Sequence, residues 1–131
     1  MAIAFLIGRI ILGLYWLEAA YNHTIKSAGM IGYAQSVGMK PGTAKLAVWG
    51  TGALALVGAV SIILGINPTG GILCLVIFLV GVSFKMHAYW KIADANQKMQ
   101  QRINFQKNIA LAAAILCLLA VSQPWVYSLG S

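Results

Sequence analysis

The chain has 131 residues, of which 60% are hydrophobic and only 8% are charged, and its net charge is +7. A soluble domain needs a surface with about 25–35% charged residues to stay dispersed. The composition therefore excludes an ordinary cytosolic enzyme, a disordered chain and a disulfide-stapled secreted domain, and it indicates a polytopic membrane protein. The basic residues stand beside apolar runs, which favours anionic lipid headgroups over nucleic acid as their partner.

Four apolar segments run over about residues 3–21, 46–66, 71–90 and 105–122. Each approaches the ~17–25 residues that a helix needs to cross the hydrocarbon layer. None alternates apolar and polar residues as barrel strands do. In lipid, all backbone polar groups must be paired within the protein, so helices are expected. The sequence therefore predicts an all-α integral membrane four-helix bundle, with residues 1–131 as one domain.

The first segment carries two ionisable residues, Arg9 and Glu18. They interrupt its apolar run, and no small-residue cleavage site follows, so we interpret it as a retained helix and not a signal peptide. About 100° per residue places the two side chains on opposite faces of that helix. Two roles are open for Arg9: contact with an anion or a quinone carbonyl, or capping of helix carbonyls and snorkelling to headgroups.

The connectors differ in length and polarity. A short interfacial helix is expected around residues 31–37 in the first connector, whereas Asn67–Gly70 is predicted to form a tight turn. In the third connector, residues 91–104, apolar side chains recur at helical spacing, which predicts an amphipathic helix in the headgroup plane.

Small residues four apart predict close helix packing. These pairs are Ala4 with Gly8, Ala55 with Ala59, and Ala110 with Ala114.

Orientation follows from the distribution of basic residues. The two long connectors and the helix ends beside them hold eight of the nine Lys and Arg residues. These are Lys26, Lys40, Lys45, Lys85, Lys91, Lys98, Arg102 and Lys107. The positive-inside rule places this side in the cytoplasm and both termini in the periplasm or outside. Aromatic belts are expected at Trp49, Tyr89 and Trp90 on one side, and at Trp125 and Tyr127 on the other.

Polar side chains of three predicted helices converge at the cytoplasmic end. They are Glu18, Asn22 and His23 from the first, Lys85, His87 and Tyr89 from the third, and Asn104, Lys107 and Asn108 from the fourth. Intramembrane ionisable residues are costly and are usually functional. Three interpretations are open: a hydrogen-bonded plug, a site for a quinone headgroup or for protons, and a metal site, although no H-x-x-H spacing supports the last.

Cys74 and Cys117 are the only cysteines, at similar depth in the third and fourth segments. They could form a thiol pair on the oxidising side, or they could be small buried apolar residues. There is no C-x-x-C spacing.

Several stretches together form a recognisable pattern: Asn22-His23, residues 32–38, residues 45–47, residues 86–90 and residues 104–111, with Arg9 and Gly13 on the first helix. Across nearly the whole chain, this pattern resembles the DoxX family. The resemblance implies four membrane helices in a bacterial or archaeal inner membrane. It also implies a link to membrane redox assemblies, since the family takes its name from a subunit of a thiosulfate:quinone oxidoreductase.

The expected role is therefore a small accessory or anchor subunit of a quinone-linked redox assembly, not an autonomous enzyme. Its partners would be the lipid bilayer and other membrane subunits, or further copies of itself. The candidate quinone-binding residues are Glu18, Asn22, His23, His87, Tyr89, Asn108 and Arg9. A purely structural subunit and a small-molecule carrier are the alternatives, although no inverted repeat favours a carrier.

Overall fold

A computed structural model describes residues 1–130, in which the regular elements are all helical. The α-helices are α1 (Ala2–Thr24), α2 (Ala28–Ser36), α3 (Pro41–Leu64), α4 (Pro68–Met86) and α5 (Ala95–Leu116). Single 3₁₀ turns lie at Tyr89–Lys91, after α4, and at Cys117–Ala120, after α5. Four spans are long and apolar enough to cross a membrane, and they contain α1, α3, α4 and α5. The predicted all-α membrane bundle is confirmed.

The helices pack in the order α1, α3, α4, α5, and α2 lies against α3. Helix α1 buries a stripe of residues with helical spacing, namely Arg9, Gly13, Trp16 and Ala20. We call the end where α1 and α4 finish the lysine-rich end, because eight of the nine Lys and Arg residues lie at or near it. The opposite end, where α3 finishes and α4 begins, is called the Arg9 end.

Two helix starts differ from the predicted boundaries because of their proline residues. Helix α3 begins at Pro41, before the predicted residue 46, and α4 begins at Pro68, before the predicted residue 71. Proline is favoured in the first turn because its φ is preset and it has no N–H to satisfy. The predicted turn Asn67–Gly70 is therefore the start of α4, with the Asn67 side chain accepting a hydrogen bond from Gly70 N at 3.3 Å.

The third connector holds no separate interfacial helix. Asp94 caps α5, its carboxylate accepting a hydrogen bond from Gln97 N at 2.9 Å, and the helix continues without a break to Leu116. The predicted amphipathic residues are thus mostly the first turns of α5, and the predicted start at residue 105 was wrong. The first connector does contain a short helix, α2, close to the predicted residues 31–37.

Residues 121–130, the C-terminal segment, fold back over the Arg9 end. Leu129 N donates to Leu64 O at 2.8 Å, and Gln123 Nε2 donates to Thr69 Oγ1 at 2.9 Å. Trp125 is only 2% exposed and packs edge-on against Phe5, with ring centroids 5.2 Å apart. Trp125 therefore belongs to the core, and its predicted place in an interfacial belt was wrong.

Close helix approach occurs at small residues of α3 and not at every predicted pair. Ala55, Gly58 and Ala59 are buried against neighbouring helices. The predicted pairs on α1 and α5 do not pack in this way. Ala4, Gly8, Ala110 and Ala114 are exposed.

Candidate functional site

A cavity of about 670 Å³ lies in the half of the bundle nearer the lysine-rich end. Its walls come from the last turns of α1, from α2, from the first half of α3 and from the second half of α4, and Asn108 of α5 completes them. This volume is within the ~300–1,000 Å³ of sites that hold small molecules and cofactors.

Most of the cavity surface is apolar. Trp16 and Phe78 lie in its wall with their rings edge to face, 5.0 Å apart between centroids, and Leu54 and Leu79 extend the same surface. Both rings are buried, so they form the back of the cavity behind its exposed lining residues.

Polar side chains are set into this apolar wall. They are Glu18, Asn22, His23, Thr51, Lys85, His87 and Asn108. The structure thus brings together five of the seven candidate residues, from α1, from α5 and from the residue that follows α4. The distribution suits an amphipathic molecule with a polar head.

The cavity is open at its side. The lining residues Tyr15 and Glu18 of α1 and Ile77, Gly81 and Lys85 of α4 are exposed, whereas Trp16 and Phe78 behind them are buried. The opening therefore runs along two helices that are long and apolar enough to span a membrane.

His23 is held in place by the neighbouring helix. Its Nδ1 lies 2.8 Å from Thr51 Oγ1 and 3.3 Å from Val48 O. Helix α1 can come this close because residue 52 is glycine: a Cβ there would lie 2.9 Å from both His23 Cβ and Thr24 Cγ2. Gly52 is thus required for the position of His23.

His87 follows the last residue of α4 and is tied to α5, with its Nδ1 2.6 Å from Gln101 Oε1. Next to it, Tyr33 of α2 donates a hydrogen bond to Met86 O at 3.1 Å. These contacts fix α2 and the start of α5 over the lysine-rich end of the cavity.

Tyr89 is not part of the cavity wall. The 3₁₀ turn after α4 directs it into an aromatic cluster, with ring centroids 5.2 Å from Trp90 and 5.6 Å from Phe105. The guanidinium of Arg102 lies 6.0 Å from the centroid of the same ring.

Arg9 is at the other end of the bundle and is 2% exposed. Its guanidinium donates to three backbone carbonyls: Val126 O at 2.6 Å, Ile63 O at 3.0 Å and Tyr127 O at 3.1 Å. It thus has the carbonyl-capping role that was one of the two interpretations, and it does not reach the cavity.

Both cysteines have free thiols, and Cys117 is exposed. Within residues 1–130, no three His, Cys, Asp or Glu side chains stand close enough to hold a metal ion together.

Sequence reasoning missed Thr51 and Gln101, the partners of the two histidines. Thr51 is a hydroxyl in an otherwise apolar helix, which is a signal for a polar contact between membrane helices. Gln101 lies in a polar stretch where nothing in the sequence marks one side chain above another.

Comparison with known proteins identifies the family of the chain. No curated protein and no solved structure matches the chain. The family model DoxX matches residues 4–88, well over half of the chain. The matched residues include all of the cavity wall except Asn108. The chain therefore belongs to the DoxX family.

Proposed function

We propose that this chain is a small membrane subunit of a quinone-linked redox assembly, and that its cavity holds the headgroup of a lipophilic quinone. The observation that carries the proposal is the division of the cavity into an aromatic interior and a set of polar side chains, with an opening along α1 and α4. A quinone has the matching parts: a flat ring, oxygens that take part in hydrogen bonds, and an apolar tail.

The residues present fit such a headgroup. Tyr15 and Ile77, which are exposed in the cavity wall, would contact the ring in front of the buried Trp16 and Phe78. The amides of Asn22 and Asn108 can each donate or accept a hydrogen bond. The tail would leave through the opening beside Ile77 and Gly81. The bound quinone would supply electron transfer, while the chain's own residues would orient the ring and keep it out of water.

A subunit role is supported by what the cavity offers chemically. Its ionisable groups are one carboxylate, two histidines and one lysine, together with two tyrosines. These groups can bind and move protons, but electrons would have to come from another subunit of the assembly. We also propose that the lysine-rich end faces the cytoplasm, since basic residues concentrate on that side of membrane proteins.

The Asn22→Leu variant tests the headgroup site. Leucine has the same branched skeleton of four heavy atoms as asparagine but cannot form hydrogen bonds, so we expect the Kd for a decyl-substituted benzoquinone to rise about fivefold to tenfold, the effect of one hydrogen bond. The measurement is an equilibrium titration of the detergent-purified protein.

Asn96→Leu is the matched control, because Asn96 is exposed in the first turn of α5. Its Kd should equal that of the wild type. Absence of saturable binding by the wild type, or equal Kd values for the two variants and the wild type, would contradict the proposal.

A further inference from the structure

The hydrogen bonds of His23 determine which of its ring nitrogens carries the proton. Val48 O, 3.3 Å from Nδ1, can only accept a hydrogen bond. Thr51 Oγ1, 2.8 Å from Nδ1, has two acceptors for its own hydrogen, Ala47 O at 2.8 Å and Val48 O at 2.9 Å, so its lone pairs are free to accept from the ring. Val48 O and Thr51 Oγ1 can both accept a hydrogen bond from the ring when Nδ1 carries the hydrogen.

The other nitrogen, Nε2, is then the acceptor of the neutral ring. It makes no hydrogen bond to residues 1–130. A polar side-chain atom that is fully buried and has no partner occurs in that range at Arg9, Trp16 and Trp125. His23 Nε2 is not among these atoms although it has no partner, so it is accessible. Because His23 lines the cavity, a ligand there can reach this nitrogen.

We propose that His23 Nε2 accepts a hydrogen bond from a hydroxyl of the ligand, so that the cavity prefers a hydroquinone over the corresponding quinone. This inference rests on the proposed function. A quinone carbonyl also presents only lone pairs, so it cannot pair with Nε2, whereas a hydroquinone O–H can. Sites built to accept a substrate hydroxyl discriminate against analogues that lack it, because a polar group is left unpaired.

Thr51 is a positioning residue in this arrangement. Its contact with Nδ1 holds the His23 ring in the form with hydrogen on Nδ1. Val48 O assists, and because it is a backbone atom no side-chain substitution removes it.

The protonation of His23 can be measured without any ligand. Nitrogen-15 NMR of histidine-labelled protein distinguishes the two neutral forms and the doubly protonated ring. In a His87→Asn background, His23 is the only histidine in the chain. We expect the form with hydrogen on Nδ1, and Thr51→Val should lower its population while Thr51→Ser preserves it. Hydrogen on Nε2, alone or together with Nδ1, in the His87→Asn protein would overturn the inference.

The binding preference is measured with a decyl-substituted benzoquinone and its hydroquinone, each titrated anaerobically. We expect the wild type to bind the hydroquinone about tenfold more tightly, and His23→Asn to remove that difference. Asparagine keeps a side-chain N–H that can face Thr51 but has no atom equivalent to Nε2.

Different results would contradict the proposed function and the proposed role of His23. If neither molecule binds the wild type, the proposed function is wrong. If both bind with equal Kd values, or the quinone binds more tightly, the proposed function stands and the role of His23 is wrong.

Discussion

Replacement of Arg9 by methionine is expected to lower the free energy of unfolding by about 3–5 kcal/mol, because three carbonyls lose a hydrogen bond from a charged donor, and to release the C-terminal segment from the bundle. The guanidinium joins three carbonyls from two parts of the chain, Ile63 at the end of α3 and Val126 and Tyr127 in the C-terminal segment. Methionine fills similar space but donates nothing, so the three carbonyls lose their shared charged partner.

The loss should be seen in two measurements on detergent-purified protein. The thermal unfolding midpoint should fall, and chymotrypsin should cleave after Trp125 and Tyr127 faster than in the wild type, because Trp125 is buried in the intact fold. Arg102→Met is the matched control, since Arg102 is exposed and its guanidinium lies over the Tyr89 ring. Equal midpoints and equal cleavage rates for the two variants would show that Arg9 does not hold the segment.

The Gly58→Leu variant is expected to lose at least about 1–3 kcal/mol of stability, the usual cost of overpacking, and to lose the ordered contact between α3 and α4. A Cβ on Gly58 would overlap the side chain of Leu75 and would lie 3.2 Å from Gly71 O. Leu75 can change its rotamer, but the Gly71 carbonyl belongs to the backbone of α4, so the helices themselves would have to separate.

Gly50→Leu on the same helix is the control, because it changes helix propensity in the same way and adds the same apolar side chain. Gly50 is exposed, and a Cβ there would meet nothing within 4 Å. Unfolding in increasing denaturing detergent measures both variants. A Gly58→Leu protein as resistant as the Gly50→Leu protein would contradict the packing of α3 on α4.

The spanning helices could be predicted because apolar runs of sufficient length have few alternatives in this composition. The helix boundaries depended on capping side chains, whose effect a hydropathy pattern does not show. Helix α5 continues back to Ala95 because the Asp94 side chain caps it, although the first turns are polar. The fold-back of the C-terminal segment depends on a tertiary contact to Arg9, and no local pattern near Trp125 indicates that contact.

The convergence of Glu18, Asn22, His23, His87 and Asn108 followed from chain direction, which places the same ends of alternate helices together. Tyr89 was assigned to this group wrongly, because the helix ends at Met86 and a 3₁₀ turn redirects the chain. Thr51 could not be ranked above other polar residues, since its importance comes from facing His23 across the α1–α3 contact. The proposed ligand of these residues is a quinone.

The most direct test of that proposal is to identify the small molecules that stay with the protein when it is purified gently from its native membrane. Mass spectrometry of the organic extract should find close to one isoprenoid quinone or quinol per chain. In Ala47→Leu, which adds a larger side chain to the cavity wall, most of it should be gone, whereas Gly50→Leu should retain it. A wild-type extract without quinone, or an equal amount in Ala47→Leu, would contradict the assignment of the cavity as a quinone site.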